Sequence, residues 1–328
     1  MKAYLVVLLL MFQLSETSRL LAVPSEKNEP KHVFHVAPGI DKNGSLIKFY
    51  KRGLDYAVDY FGNYGPYHIY LLGPKGEKNI KKIFRERALS RVDPKSKISI
   101  DDQIKEYLNR PNVKKEIQST IKGKAEGGLT WTPAPNRIYE DVTTNAIERS
   151  KNPIENTWGA LHEYHHVFQV AHTEAEKERN SDTNFCSWMA EGMATYSSAK
   201  FMENLGLIDF KKYMLELRKF GGNIGRPGIN EFIKKYPDYE LENENYWDDG
   251  KSAQVYYMIG AWATAYLIHS KKIKEKTVLK DWWFDIIPMG KAKAFKKHMK
   301  ISLNDFYDEF DRFIKKSDDE VMKIFEQD

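Results

Sequence analysis

HEYHH at His162–His166 and WMAEGMATY at Trp188–Tyr196 are the two stretches that decide how this chain folds around its chemistry. The first contains H-E-x-x-H. On a helix, residues four apart lie one turn above each other on one face, so His162 and His166 can grip a single metal ion. Glu163 stands beside them, within reach of a water on that metal. Glu191, twenty-five residues after His166, adds a carboxylate. Two imidazoles and one carboxylate on Zn2+, with a fourth position open to water, form the donor set of a hydrolytic zinc site. One Zn2+ per chain on His162, His166 and Glu191 is the expectation.

The apolar residues Trp158, Leu161, Val167, Phe168 and Val170 surround the first motif, so its helix is packed rather than solvated. That helix starts near Asn152, where Pro153 suits a first helical position, and runs to about His172. A polar loop, 173–184, leads to a second helix from about Phe185 to Leu205, closed by Gly206. Upstream, HVFHV (32–36) and YHIYLLG (67–73) read as strands on either side of a helix, Ser45–Phe61. Residues 77–122 are heavily charged and read as helices punctuated by Pro94 and Pro111. GGLTW (127–131) and NRIYEDV (136–142) are two short strands around the turn TPAP. Downstream lie helices from Asp209 to Phe220, from Gly250 to Ser270, and from a Ser302 N-cap through Lys316. The fold class is therefore α+β. A small mixed N-terminal lobe, about 32–172, has an edge strand beside the motif helix; a mainly helical lobe, about 173–316, follows, and 317–328 are left as a C-terminal tail.

Charge and targeting signals bound the function. The net charge of +5 over 328 residues is a mild bias that scattered lysines explain better than a nucleic-acid face would, and no nucleic-acid motif is present. GGNIGRPG (221–228) lacks the strand–Gly–helix setting of a phosphate loop. One cysteine, Cys186, excludes an intrachain disulfide framework and reads as a small buried hydrophobe. Lys2 followed by the apolar run Ala3–Leu14 reads as a signal peptide over 1–22, with Ala22 the best cleavage position, and 23–31 as a flexible leader. The run is too short to span a bilayer, and no later segment could. Secretion, or export to a periplasm, is expected.

The two motifs together resemble those of the gluzincin metallopeptidases. They are particularly similar to the peptidase MA-like group, whose second motif reads roughly W-x-x-E-G-x-A-x-Y. The resemblance covers about 32–316; 77–122 has no counterpart in it. It implies a zincin-like fold, with His162, His166 and Glu191 as zinc ligands. Glu163 would be the general base that takes a proton from the metal-bound water. YMIGAWATAYL (257–267) resembles the family's later helix, which can carry a tyrosine facing the metal; Tyr257 is the candidate oxyanion donor and Tyr256 its neighbour. GGLTW would offer backbone groups to an extended peptide. The implied activity is hydrolysis of peptide bonds in a peptide or protein substrate, with endopeptidase action weakly favoured. The alternatives are a catalytically altered metal- or peptide-binding protein, or a zinc hydrolase of a non-peptide amide. His165 is about 100° around the helix from His166 and is not expected to be a ligand. His172 reads as a helix-end residue. Thr195 could either hold Glu191 or simply pack.

Overall fold

The architecture starts from one βαβ unit. In a computed structural model, which describes residues 32–74, 77–124, 127–132, 138–146, 153–172, 187–221, 228–230 and 250–326, strand β1 (His32–Val36) leads through helix α1 (Ser45–Phe61) to β2 (Tyr67–Leu71). Helix α1 starts where the Asp41 carboxylate accepts the backbone N–H groups of Leu46 and Ile47, both at 3.0 Å. It ends at Gly62, whose N–H returns to the Val58 carbonyl. Leu46, Tyr50, Leu54, Ala57 and Phe61 recur at helical spacing and are buried.

Three helices follow, α2 (Glu77–Leu89), α3 (Ile100–Asn109) and α4 (Pro111–Lys122). The strands β3 (Gly127–Trp131) and β4 (Tyr139–Thr143) come next. The sheet order is β1-β2-β4-β3: β1, β2 and β4 run parallel, and β3 lies antiparallel to β4 as an edge. The chain is thus mixed α+β, with a small four-stranded sheet in a mainly helical molecule.

The two faces of the sheet are covered differently, as the twofold period of a strand dictates. Tyr67, Ile69, Tyr139 and Asp141 face α1 and the motif helix α5 (Pro153–Ala171). The Tyr50 hydroxyl donates to Asp141 and lies 3.2 Å from that of Tyr67. The Tyr67 ring meets Tyr164 at 5.7 Å. On the other face the buried Glu140 accepts from Arg87 Nε at 2.6 Å and from Arg91. Arg87 also pairs with Glu116 on α4 and donates to Thr130 Oγ1 on β3 at 2.8 Å. A buried guanidinium stays charged only with such partners. Residues 77–122 are therefore tied by charge to β4 and to the edge strand.

Helix α5 is buried over most of its surface: Leu161, Tyr164, His165, Val167 and Phe168 are inaccessible, while Trp158, Glu163 and His166 are partly open. It packs on α1 where Gly53 meets the Thr157 carbonyl, closer than any side chain would allow. Helix α6 (Ser187–Asn204) lies along it. Helix α7 (Phe210–Gly221) follows, and then α8 (Gly250–Ala265), which crosses α6 at a contact between Gly192 and Gly260. Where the sequence predicts one helix from Gly250 to Ser270, α8 gives way to a π-turn at Tyr266–Ser270. That turn lets His269 Nε2 reach the Tyr196 hydroxyl at 2.8 Å.

The remaining helices are α9 (Glu275–Leu279), α10 (Ile286–Met289), α11 (Lys291–Met299), α12 (Leu303–Ile314) and α13 (Asp318–Met322). The segment after Lys316, read from the sequence as a C-terminal tail, packs against the helices. Ser317 and Glu320 form a capping box, Arg218 donates to Asp318 at 2.8 Å, and Val321, Ile324 and Phe325 are buried. Residues 1–31, Cys186, and the segments 173–184 and 222–227 lie outside the described residues. Among the described residues no helix is long and apolar enough to cross a membrane.

Candidate metal centre

Helices α5 and α6 bring three ligand-type atoms together. His162 Nε2 and His166 Nε2 are 3.0 Å apart, and Glu191 Oε2 lies 3.1 Å from the first and 3.2 Å from the second. Among the described residues this is the one group of three or more such side chains close enough to share an ion. Tetrahedral bonds of about 2.0–2.1 Å from zinc to nitrogen or oxygen place ligand atoms about 3.3 Å apart. The observed triangle fits that spacing to within a few tenths of an ångström.

The electrostatics agree with the geometry. Burial alone would strip the proton from His166, yet the Glu191 carboxylate outweighs it, with Glu163 adding to the effect, and the imidazole is pushed up to about 9. Burial likewise opposes charge on Glu191, but His166 and His162 hold its carboxyl well below the usual carboxylate range. A buried carboxylate flanked by two imidazoles draws in positive charge, which a proton or a divalent cation can supply.

The surroundings orient the ligand atoms. Gln169, fully buried one turn after His166, donates its amide N–H to the Ala190 carbonyl at 3.1 Å. That leaves its oxygen to accept from His166 Nδ1 at 2.7 Å. With Nδ1 as the donor, the lone pair of Nε2 faces His162 and Glu191. The ring of Trp158 stacks on that of His162 at 4.5 Å, nearly parallel. Tyr257 on α8 brings its ring to 5.6 Å from His162. Glu163 is half-buried on the turn between the two histidines; besides its influence on His166, it contributes to raising the Tyr67 phenol, after burial and Asp141.

Each residue singled out in the sequence has its place. His162, His166 and Glu191 converge, Glu163 and Tyr257 stand next to them, and the side chain of Tyr256 lies outside the described residues. His165 points elsewhere. It is fully buried against Phe61, bonded to Ser197 Oγ at 2.7 Å, and held neutral chiefly by burial. His172 ends α5 with Nε2 2.8 Å from the Tyr64 hydroxyl. Thr195 is buried, but its hydroxyl makes no hydrogen bond among the described residues, so it packs and does not hold Glu191. Gln169 and the glycine crossing are the contributors that the sequence reading misses. The edge strand β3 runs beside α5, as expected. Compared with models of known protein families, with curated proteins and with solved structures, the chain matches none.

Proposed function

We propose that the chain is an exported zinc-dependent metallopeptidase of zincin-like fold, similar to the gluzincins. The observation that carries the proposal is the 3.0–3.2 Å triangle of His162, His166 and Glu191, with a second carboxylate, Glu163, one residue from the first ligand. A metal- or peptide-binding protein needs no such neighbour, whereas a hydrolase does. The apolar run Ala3–Leu14 is the basis for export.

His162, His166 and Glu191 would hold the ion, which supplies polarisation of the scissile carbonyl and a water with a pKa lowered toward about 7. Glu163 would accept the proton released as water adds to the carbonyl carbon, and would return it to the amide nitrogen as the C–N bond breaks, giving an acid and an amine. The Tyr257 hydroxyl, on a ring beside His162, donates to the oxygen that carries the developing negative charge. An extended substrate lies along the free edge of β3, where Gly127 and Gly128 permit close approach.

Elemental analysis is the direct test. Protein purified with zinc supplied is expected to carry about one zinc per chain, and Glu191→Ala to retain less than about half of that. A zinc-free wild type overturns the proposal. Gln169→Leu is expected to weaken zinc binding about 10- to 100-fold in competition with a chromophoric chelator, because His166 loses the acceptor that sets its tautomer. An unchanged affinity would make the Gln169 contact incidental.

A further inference from the structure

The positive charge of this chain is not scattered. Residues 271–300 hold ten lysines and three acidic residues. Taking these from the chain's 51 basic and 46 acidic side chains leaves everything else acidic by two. The whole net charge of +5 therefore arises in residues 271–300, which comprise α9 to α11 with the residues flanking them and are built on the buried Val278, Leu279, Trp282, Trp283, Ile286 and Phe295.

The unit presents its lysines in order. Lys293, Lys296, Lys297 and Lys300 follow at spacings of three, four and seven from the first, which is one face of α11 extended by its C-cap, and all four are exposed. Ala294, Phe295 and Met299 form the opposite, buried face. Lys293 and Lys296 form no ion pair among the described residues. Lys297 and His298 both reach Asp285 at 2.6 Å, which ties α11 to the turn that carries the adjacent Phe284. Phe284 is 46 % exposed, a large aromatic ring in water, braced from behind by His172 at 4.5 Å and Phe168 at 5.9 Å. Leading into the unit, Lys272, Lys274 and Lys276 alternate outward along the run before and into α9, and Ile273 packs on the core.

We propose that this face is a docking surface for a bilayer containing anionic lipid, with the lysines over the headgroups and Phe284 at the boundary with the acyl chains. Three features select that occupant. All ten cations are lysines, compact point charges on flexible stems that suit a fluid array of headgroups; arginine forks, which favour fixed bidentate recognition of nucleic acid, are absent from the unit. The aromatic that meets water is one phenylalanine, while Trp282 and Trp283 are buried and offer no stacking platform for bases. The lysine face is the outer ridge of a helix, which a plane can meet along its length. Because Phe284 rests on the end of α5, docking sets the helix bearing His162 and His166 at the surface. The inference does not depend on a metal.

Vesicle co-sedimentation tests it, with proteins sharing the same N-terminus throughout. Wild type is expected to bind vesicles of phosphatidylcholine with one-third phosphatidylglycerol, to bind pure phosphatidylcholine far more weakly, and to weaken as salt rises. Each lysine near an anionic surface is worth about fivefold. The triple substitution Lys293→Gln, Lys296→Gln and Lys300→Gln should therefore lower binding about 100-fold, with its circular dichroism unchanged. Phe284→Ala should lower the binding that survives high salt. Lys81→Gln with Lys82→Gln, exposed on α2, should change nothing. The proposal falls if wild type ignores anionic vesicles or binds neutral ones equally, or if the triple variant binds like wild type. It also falls if a short DNA duplex or a heparin fragment competes the protein off the vesicles at equal charge concentration, which would mark a soluble polyanion as the partner.

Discussion

Glu163→Gln is expected to keep its zinc while losing about 100- to 10,000-fold in turnover of a peptide substrate. Glutamine fills the same half-buried position and preserves the shape of the turn between His162 and His166, so none of the three converging atoms is disturbed. What disappears is the carboxylate beside the triangle, one residue from its first member. On the proposed mechanism, the water's proton would then lack its acceptor and the leaving nitrogen its donor. The measurement is a peptide-library assay run alongside elemental analysis of the same preparation. Full zinc with full activity would remove the general-base role from Glu163.

A second large effect is expected far from any proton transfer. Gly192→Ala should destabilise the protein by about 3 kcal/mol or more, because the added methyl would stand 2.1 Å from the backbone carbon of Gly260. Backbone cannot swing aside as a side chain can, so α8 must move off α6. For a chain of this size, that loss lowers the thermal midpoint by roughly 5 °C. Glu191 is the adjacent residue and Tyr257 lies one turn before Gly260, so the same shift should loosen the site from two sides. Gly128→Ala is the control: it sits on the edge strand with open space around its Cα and should unfold like wild type. Equal midpoints for Gly192→Ala and wild type would mean that the helices do not cross as described.

The parts of the site set by local geometry are legible in the sequence. His162, Glu163 and His166 occupy one turn, and helical spacing alone aligns the two imidazoles. Glu191 requires only that the next helix lie beside the first. The strands flanking Ser45–Phe61 and the hairpin of β3 and β4 are likewise carried by alternation and turn residues. What escapes reading depends on how elements meet. Gln169 looks like any polar helix residue until the Ala190 carbonyl is brought against it. Tyr256 and Tyr257 are about 100° apart around their helix, and the rotation that turns Tyr257 to His162 is set by the Gly192–Gly260 crossing one turn away. The Ser317–Glu320 capping box is written in the sequence, but the burial of Val321 and Phe325 needs the partner surface from α7 and α8. The charge of 271–300 is visible to simple counting, whereas its arrangement on one face beside Phe284 follows from the packing of Trp282, Trp283 and Phe295.

The network around Glu140 bears on the entropy of recognition. Arg87 and Arg91 hold Glu140 on β4 and also donate to Thr130, one residue short of the end of β3, at 2.8 and 3.2 Å. The outer strand is thus clamped from behind by groups that are themselves immobile. A strand already straightened in this way has little freedom left to surrender when a second chain pairs with it. Were a peptide to pair there, affinity would go into discrimination between guests instead of into ordering the host.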